Sequence, residues 1–184
     1  MNESAVFSAP WDQRLTTITL VASCLLLGGA VLVTWLALSR YPSATTRAVL
    51  LVTALIPLIA FVVGALLAPR GYAVGGGRLT IERLVRPIEI PLASIRSVER
   101  FDGEQLTGAS RILGSGGFFG YYGRFRNRTI GDFRMYATRG EGYVLVRAAH
   151  PYILTPDSPD RFIAAIRGAG SGGGDPDAAP GGGR

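Results

Sequence analysis

The sequence contains no lysine, one cysteine and one histidine, and each shortage excludes a class of chemistry. All nineteen basic residues are arginine, so the chain has neither the lysine of a phosphate-binding P-loop nor a lysine for Schiff-base formation. The single cysteine, Cys24, excludes a disulfide within one chain and a cysteine-based metal site. The single histidine, His150, precedes a proline and is typical of a turn or surface residue. We therefore expect no catalytic residues, no metal site and no cofactor.

Charged residues are also absent from two long apolar runs, at 15–38 and 48–68. Arginines flank both runs, and each run is long enough to cross a hydrocarbon core of about 30 Å as a helix. The short connection at 39–47 predicts a tight hairpin of two transmembrane helices. A cleaved signal peptide is the alternative for the first run, but that run is longer than a normal signal core and only one basic residue precedes it.

The positions of the arginines predict the orientation of this hairpin. Five arginines adjoin its two ends, whereas its loop carries two. Basic residues concentrate on the cytoplasmic side of membrane spans, so both termini are expected in the cytoplasm, in a bacterial cell membrane. The five are Arg14, Arg70, Arg78, Arg83 and Arg86, and the two are Arg40 and Arg47.

The two runs hold no ionisable side chain other than Cys24, which argues against a transporter or channel acting alone and favours an anchor. They do hold small residues that allow close helix packing. These residues pack the hairpin itself or dock another membrane protein or a second copy of the chain. The candidate helix-packing residues are Gly28 and Gly29 in the first run and Ala60, Gly64 and Ala68 in the second.

The remaining sequence predicts one small domain at 70–168. It lies between an N-terminal tail at 1–14 and a glycine-rich tail at 169–184 that is expected to be disordered. Apolar residues alternate with polar ones in short stretches along the domain, a pattern typical of half-buried strands. The expected fold is therefore a membrane-anchored α+β chain, in which the transmembrane hairpin precedes a small, mostly-β barrel or sandwich with one C-terminal helix.

Turn and cap residues give two sharper predictions inside this domain. Glycine-rich turn residues at 139–142 predict a β-hairpin between strands at 133–137 and 143–146. A C-terminal helix is expected to begin after Ser158, with a proline in its first position, and to end at Gly168.

The segment 114–128 concentrates aromatic and arginine side chains and contains most of the candidate interaction face. If 124–128 is a strand, its three arginines share one face, where anionic lipid headgroups would attract each by about 1 kcal/mol. The alternative is a glycine-rich loop followed by a strand with a solvated outer face. Nucleic acid is not an expected partner, because the chain has no RNA-recognition motif and is tethered to a membrane. The candidate face comprises Arg111, Phe118, Phe119, Arg124, Arg126 and Arg128.

Three stretches resemble the bacterial pleckstrin-homology-like (PH-like) domains, which often follow one or two membrane spans. They read IEIPLASIRSV at 88–98, GYYGRF at 120–125 with a strand at 135–138, and ILTPDSPDRF at 153–162. The resemblance implies a seven-stranded, strongly bent β-structure capped by a C-terminal helix, with no catalytic residues to carry over. Eukaryotic namesakes often bind phosphoinositides through basic loops, but no matching lysine–arginine loop motif occurs here.

Two classes of function remain open at this point. The first is a membrane-anchored binding or scaffold module on the cytoplasmic face, which contacts a membrane protein or anionic lipid headgroups. An accessory subunit of a transport or secretion complex is a variant of it. The second is an enzyme acting on a membrane-proximal substrate, which would need a cleft with polar groups, for example around Asp102 or His150.

Overall fold

Two long helices open the structure, a computed structural model that describes residues 4–40 and 43–171. Helix α1 spans Gln13–Arg40 and helix α2 spans Ala44–Leu67, so the helices extend further into the connecting segment than the sequence predicted. The carboxylate of Asp12 caps α1 by accepting a hydrogen bond of 2.6 Å from the Leu15 amide. Both helices are long and apolar enough to cross a membrane, and their assignment as spans stays a prediction.

The segment before α1, predicted as a tail, contains a β-strand. Strand β1 (Ala5–Ser8) pairs antiparallel with β2 (Gly71–Gly75), the strand that follows α2. The first sheet continues through β3 (Arg78–Glu82) to β4 (Ile88–Pro91), with every pairing antiparallel. The first sheet is therefore built from segments that precede and follow the two helices in the sequence.

The second sheet has six strands in the order β5-β9-β10-β8-β7-β6. Short 3-10 turns at Leu92–Ser94 and Gly103–Leu106 flank its first strand. Including β1, the described residues hold ten strands, where the resemblance implies seven. The six strands are β5 (Ser97–Phe101), β6 (Ser110–Gly116), β7 (Tyr121–Asn127), β8 (Gly131–Ala137), β9 (Tyr143–Arg147) and β10 (Pro151–Leu154).

The predicted hairpin between 133–137 and 143–146 is wrong, because β10 lies between these two strands. Strand β10 runs antiparallel to β9 and parallel to β8. Directly after β8, Thr138 leaves the sheet: its amide donates to Thr155 Oγ1 at 2.9 Å and its hydroxyl donates to the Pro10 carbonyl at 2.8 Å. The turn residues at 139–142 therefore connect strands that are not neighbours.

The main core lies between the two sheets and under α3 (Pro159–Ser171). The helix begins after Ser158, as predicted, but the predicted end at Gly168 is wrong because the helix continues to Ser171. A glycine inside a helix costs about 1 kcal/mol, which does not by itself end one. Residues 172–184 of the predicted glycine-rich tail lie outside the described residues. A smaller apolar cluster covers the other face of the second sheet, formed by Phe125, Phe133, Met135, Ala137, Leu145 and Ile153.

A fully buried tyrosine in the main core gives a testable prediction. The Tyr72 hydroxyl donates to the Tyr136 carbonyl at 2.7 Å and accepts from the Thr155 amide at 3.2 Å, and burial raises the pKa of Tyr72 to about 12. Tyr72→Phe leaves both buried backbone groups without this partner, so the free energy of unfolding should fall by about 1–3 kcal/mol. Thermal unfolding in detergent measures the change. Tyr152→Phe is the matched control, because Tyr152 is also a buried tyrosine but its hydroxyl makes no hydrogen bond among the described residues. Equal losses in the two variants would contradict the prediction.

Candidate functional site

The tip of the β6–β7 hairpin, residues 117–120, lies against the base of the helix pair, meaning the first two turns of α1 and the last two of α2. Phe118 and Phe119 at this tip contact Phe61 of α2 edge to face, with ring centroids 6.2 and 5.2 Å apart. Trp11, just before α1, contacts Phe119 at 6.0 Å. The two aromatic members of the predicted face therefore pack against the helices.

Hydrogen bonds join the hairpin to both helices. The Phe119 amide donates to Thr19 Oγ1 at 3.1 Å, and that hydroxyl donates to the Gly117 carbonyl at 3.5 Å. The Tyr122 hydroxyl donates to the Gly64 carbonyl of α2 at 3.0 Å. Carbonyls in the last turn of a helix lack some of their intrahelical partners. The two sheets and α3, together called the β domain, therefore supply a hydrogen-bond donor where α2 ends.

Gly64 is the position where the tip fits most closely. A Cβ atom at Gly64 would lie 2.9 Å from Phe118 Cε1 and 3.2 Å from Phe119 Cδ2. By contrast, a Cβ at Gly28 or Gly29 would meet no atom within 4 Å. The structure thus places one of the five candidate helix-packing residues under the tip and leaves open space beside two others.

The other two candidate helix-packing residues, Ala60 and Ala68, also differ in their surroundings. Ala68 is buried in the main core and Ala60 is exposed. Away from the β domain, the buried residues of the helix pair are Ala30 and Ala37 of α1 and Ala54 of α2. Ala30 and Ala37 lie seven residues apart and so share one face of α1, a spacing signal that the sequence analysis did not use.

The tip is held in a strained conformation. Phe119 has a φ of 59°, a left-handed value that costs a bulky residue about 1–2 kcal/mol. Ser115 Oγ donates to the Phe118 carbonyl at 2.7 Å and accepts from the Phe118 amide at 3.0 Å, and the Gly117 amide donates to the Gly120 carbonyl at 3.1 Å. These bonds, with the one to Thr19, fix both phenylalanine rings toward the helices.

The arginines of the predicted face lie on both faces of the second sheet. Arg124 and Arg126 are exposed on the same face of β7, whereas Arg128 follows the end of that strand. Arg111 pairs with Phe125 across the sheet and lies on the opposite face. A strand rises about 3.3 Å per residue, so the end of β7 at Asn127 lies roughly 16 Å further along the strand than Tyr122, and Arg128 follows it. Arg124 is the arginine of β7 nearest to the helix base, and on the opposite face the Arg111 guanidinium reaches Gly116, next to the tip.

The partners of these arginines differ as well. Arg126 forms a two-pronged ion pair with Asp132 on β8, and its guanidinium holds the pKa of the Asp132 carboxyl below the ordinary value. Arg124 has no ion-pair partner among the described residues and lies directly opposite Arg134, which stacks on the Tyr152 ring at 5.8 Å. The face around Arg124 is therefore cationic.

A groove of about 460 Å³ lies on the other face of the second sheet. The 3-10 turn Gly103–Leu106 and strand β6 border it, and Arg111 lies along it. Strand β6 is an edge strand, on which Ile112 and Leu113 are exposed. The apolar lining of the groove comprises Leu106, Ala109, Tyr121, Phe125, Phe133 and Met135.

The two residues that could have marked a catalytic cleft lie apart. Asp102 accepts a hydrogen bond from the Glu104 amide at 3.1 Å and caps a 3-10 turn, whereas His150 is exposed in the turn between β9 and β10. No cluster of three or more His, Cys, Asp or Glu side chains suited to a metal occurs in the part of the chain that the structure describes.

Sequence reasoning missed one segment at the helix base. The loop between β3 and β4, residues 83–87, contacts the end of α2 through a hydrogen bond of 3.4 Å from the Val85 amide to the Leu66 carbonyl. The sequence did carry a signal here, because Arg83 interrupts the alternation of apolar residues and leaves Leu84 and Val85 adjacent.

Comparison with known proteins identifies the β domain. A family model described as bacterial PH domain matches residues 70–170, more than half of the 184-residue chain. The match leaves out β1 and the two long helices. No curated protein and no solved structure matches the chain.

Proposed function

This chain belongs to the bacterial PH domain family, and we propose that it is a membrane-anchored, non-catalytic binding module on the cytoplasmic face of a bacterial membrane. The family is generally non-catalytic. In this proposal α1 and α2 hold the β domain against the bilayer, where the domain binds a membrane protein. Lipid headgroups form the second contact surface.

One observation carries the proposal: the β domain is assembled around the base of the helix pair rather than attached by a free linker. Strand β1 enters α1 through Pro10 and Trp11, and β2 begins directly after α2. The tip adds hydrogen bonds to Thr19 and Gly64. A domain fixed in this way keeps one orientation toward the surface that its helices enter, which suits a module that presents a binding edge to a neighbour in the membrane.

The orientation in the membrane is tested by thiol labelling of the full chain in intact cells. Cys24→Ser removes the only cysteine, and Ser43→Cys or Ala149→Cys then places one thiol at either end of the molecule. A membrane-impermeant maleimide should label the Ser43→Cys variant from outside and the Ala149→Cys variant only after permeabilisation. The opposite pattern would overturn the cytoplasmic placement of the domain.

The binding surface that we propose for the protein partner is the free edge at β6. Apolar side chains on an unpaired strand favour strand addition by another chain. Leu113 is 70% exposed and pairs with Arg124 across the strands, so a partner with an apolar and acidic segment suits this edge.

Crosslinking in native membranes tests this surface with the full chain. The partner should be recovered with the wild-type protein and with the control Ala149→Glu, which changes an exposed residue at the other end of the domain. It should be lost with Leu113→Glu. Recovery of the same proteins with all three chains, or of none with the wild type, would contradict partner binding at β6.

A further inference from the structure

We infer that residues 83–87, the base loop, form an interfacial membrane-insertion loop that buries Leu84 and Val85 in the bilayer and sets Arg83 and Arg86 against anionic lipid phosphates. The inference rests on the proposed function in one respect, namely that α1 and α2 cross the bilayer. It adds a second attachment of the β domain to the membrane and names the lipid chemistry that this attachment recognises.

The position of the loop comes from its contact with α2. The Val85 amide donates to the carbonyl of Leu66, the residue before the last of that helix. The loop therefore lies level with the end of the apolar helix, where a span leaves the hydrocarbon core and enters the headgroup layer. On the same side of the molecule, Trp11 precedes α1, and tryptophan is enriched at this depth.

The exposure of the loop's apolar residues is the second observation. Leu84 is 50% exposed and Val85 is 43% exposed, whereas Ile81, in the preceding strand, is fully buried. Two adjacent exposed aliphatic side chains at a loop apex leave apolar surface in water. At the depth set by Leu66, the same side chains would instead meet lipid.

The loop is held in a shape that projects these two side chains. The Arg83 guanidinium donates two hydrogen bonds to the Arg86 carbonyl, at 3.1 and 2.6 Å, and closes the loop across its neck. Arg86 has a φ of 51°, which reverses the chain before Pro87. The apex is thus preformed, so ordering it at a membrane costs little conformational entropy.

The charge around the loop favours an anionic surface. Arg83 lies 5.9 Å from the centre of the Tyr136 ring, and Arg134 and Arg124 continue the cationic face along β8 and β7. Two carboxylates, Asp132 and Glu82, lie nearby, and the four arginines Arg83, Arg86, Arg124 and Arg134 outnumber them. Asp132 is paired with Arg126, and Glu82 lies over Gly71 in the first sheet. Arginine near a negatively charged leaflet is attracted to its phosphates, and a planar guanidinium binds them with two hydrogen bonds.

The test measures the depth of spin labels on the full chain in vesicles of phosphatidylcholine with phosphatidylglycerol. The native Cys24, exposed near the middle of α1, reports the helix itself. In the Cys24→Ser background, Leu84→Cys reports the loop, and Ala149→Cys reports the opposite end of the domain. The depth of each label is calculated from its collision rate with oxygen, which concentrates in the bilayer, relative to its collision rate with a water-soluble nickel complex.

We expect a deep label at Cys24, a shallow label inside the bilayer at position 84 and a fully aqueous label at position 149. A deep Cys24 with an aqueous position 84 would overturn the loop inference and leave the anchor intact. An aqueous Cys24 would overturn the anchor. A position-84 label shielded from both reagents would also overturn the inference, since it would place the loop against another copy of the chain.

The contribution of charge is tested with the same label. Lowering the phosphatidylglycerol content should make the position-84 label shallower in the Leu84→Cys protein. Adding Arg86→Gln should remove most of this dependence, because only the side chain of Arg86 changes and its carbonyl still accepts from Arg83. Arg128→Gln, at the distant end of β7, is the matched control and should keep the dependence. Equal behaviour of the two arginine variants would contradict headgroup recognition by the loop.

Discussion

Phe7→Ala should destabilise the β domain by about 3–5 kcal/mol, although Phe7 lies before the first helix and outside the range that defines the family. The Phe7 ring is 5% exposed and meets the Phe162 ring of α3 edge to face, with centroids 5.1 Å apart. Removing it opens a cavity between the first sheet and α3. Small domains are stable by only about 5–15 kcal/mol, so the loss is a large part of the total. Thermal or denaturant unfolding of the full chain in detergent measures it.

The matched control lies one residue away. Val6 occupies the same strand but is 69% exposed, so Val6→Ala should change the free energy of unfolding by no more than about 0.5 kcal/mol. If the two substitutions had equal effects, β1 would not be part of the core.

The same reasoning applies to the isolated β domain. A fragment of 70–170 lacks β1, so it exposes the edge of β2 and the core surface that Phe7 covers. It should melt at a lower temperature, or aggregate through the open edge, compared with a fragment in which residues 4–11 are joined to it by a flexible linker. Equal melting temperatures would show that β1 is dispensable.

The sequence predicted the elements whose signals are local. Long uncharged runs gave α1 and α2, and Ser158 with the following proline gave the start of α3. Strand β1 was not predicted because it has only four residues, one of them buried, and because its partner strand follows both helices in the sequence. Alternation of apolar residues identifies a strand but not its neighbour, which is why the position of β10 between β8 and β9 could not be predicted.

In the candidate site, too, features with a local signal could be predicted and features that depend on strand pairing could not. Composition identified Phe118 and Phe119 as unusual, and both rings contact Phe61 of α2. The grouping of Arg124, Arg126 and Arg128 as one interaction face stays a prediction. Their different distances from the helix base could not be predicted, because these depend on the direction of β7. Whether a given arginine is paired with a carboxylate, as Arg126 is with Asp132, depends on the register of two strands.

Gly64→Leu should release the β6–β7 tip from the helix base. A side chain at this position overlaps the Phe118 ring, which lies 2.9 Å from the ideal Cβ position, and overpacking of this kind costs about 1–3 kcal/mol. Chymotrypsin cleaves after exposed phenylalanine, so cleavage after Phe118 or Phe119 reports the release. The wild-type tip, half-buried and bonded to Thr19, should resist the protease.

Two further variants separate release of the tip from a general effect of leucine in a helix. Gly28→Leu makes the same substitution in α1, where the space is open, and should leave the tip resistant. Phe118→Ala should restore resistance at Phe119 in the Gly64→Leu chain, because the smaller side chain makes room for the leucine. The wild type, the two single variants Gly64→Leu and Phe118→Ala, and the double variant form a double-mutant cycle. Cleavage in the Gly28→Leu chain, or no rescue by Phe118→Ala, would mean that the fit at Gly64 does not hold the tip. With the tip released, the domain would still be attached through β1 and β2. The bond from the Val85 amide to the Leu66 carbonyl would still hold the base loop at 83–87 beside the end of α2.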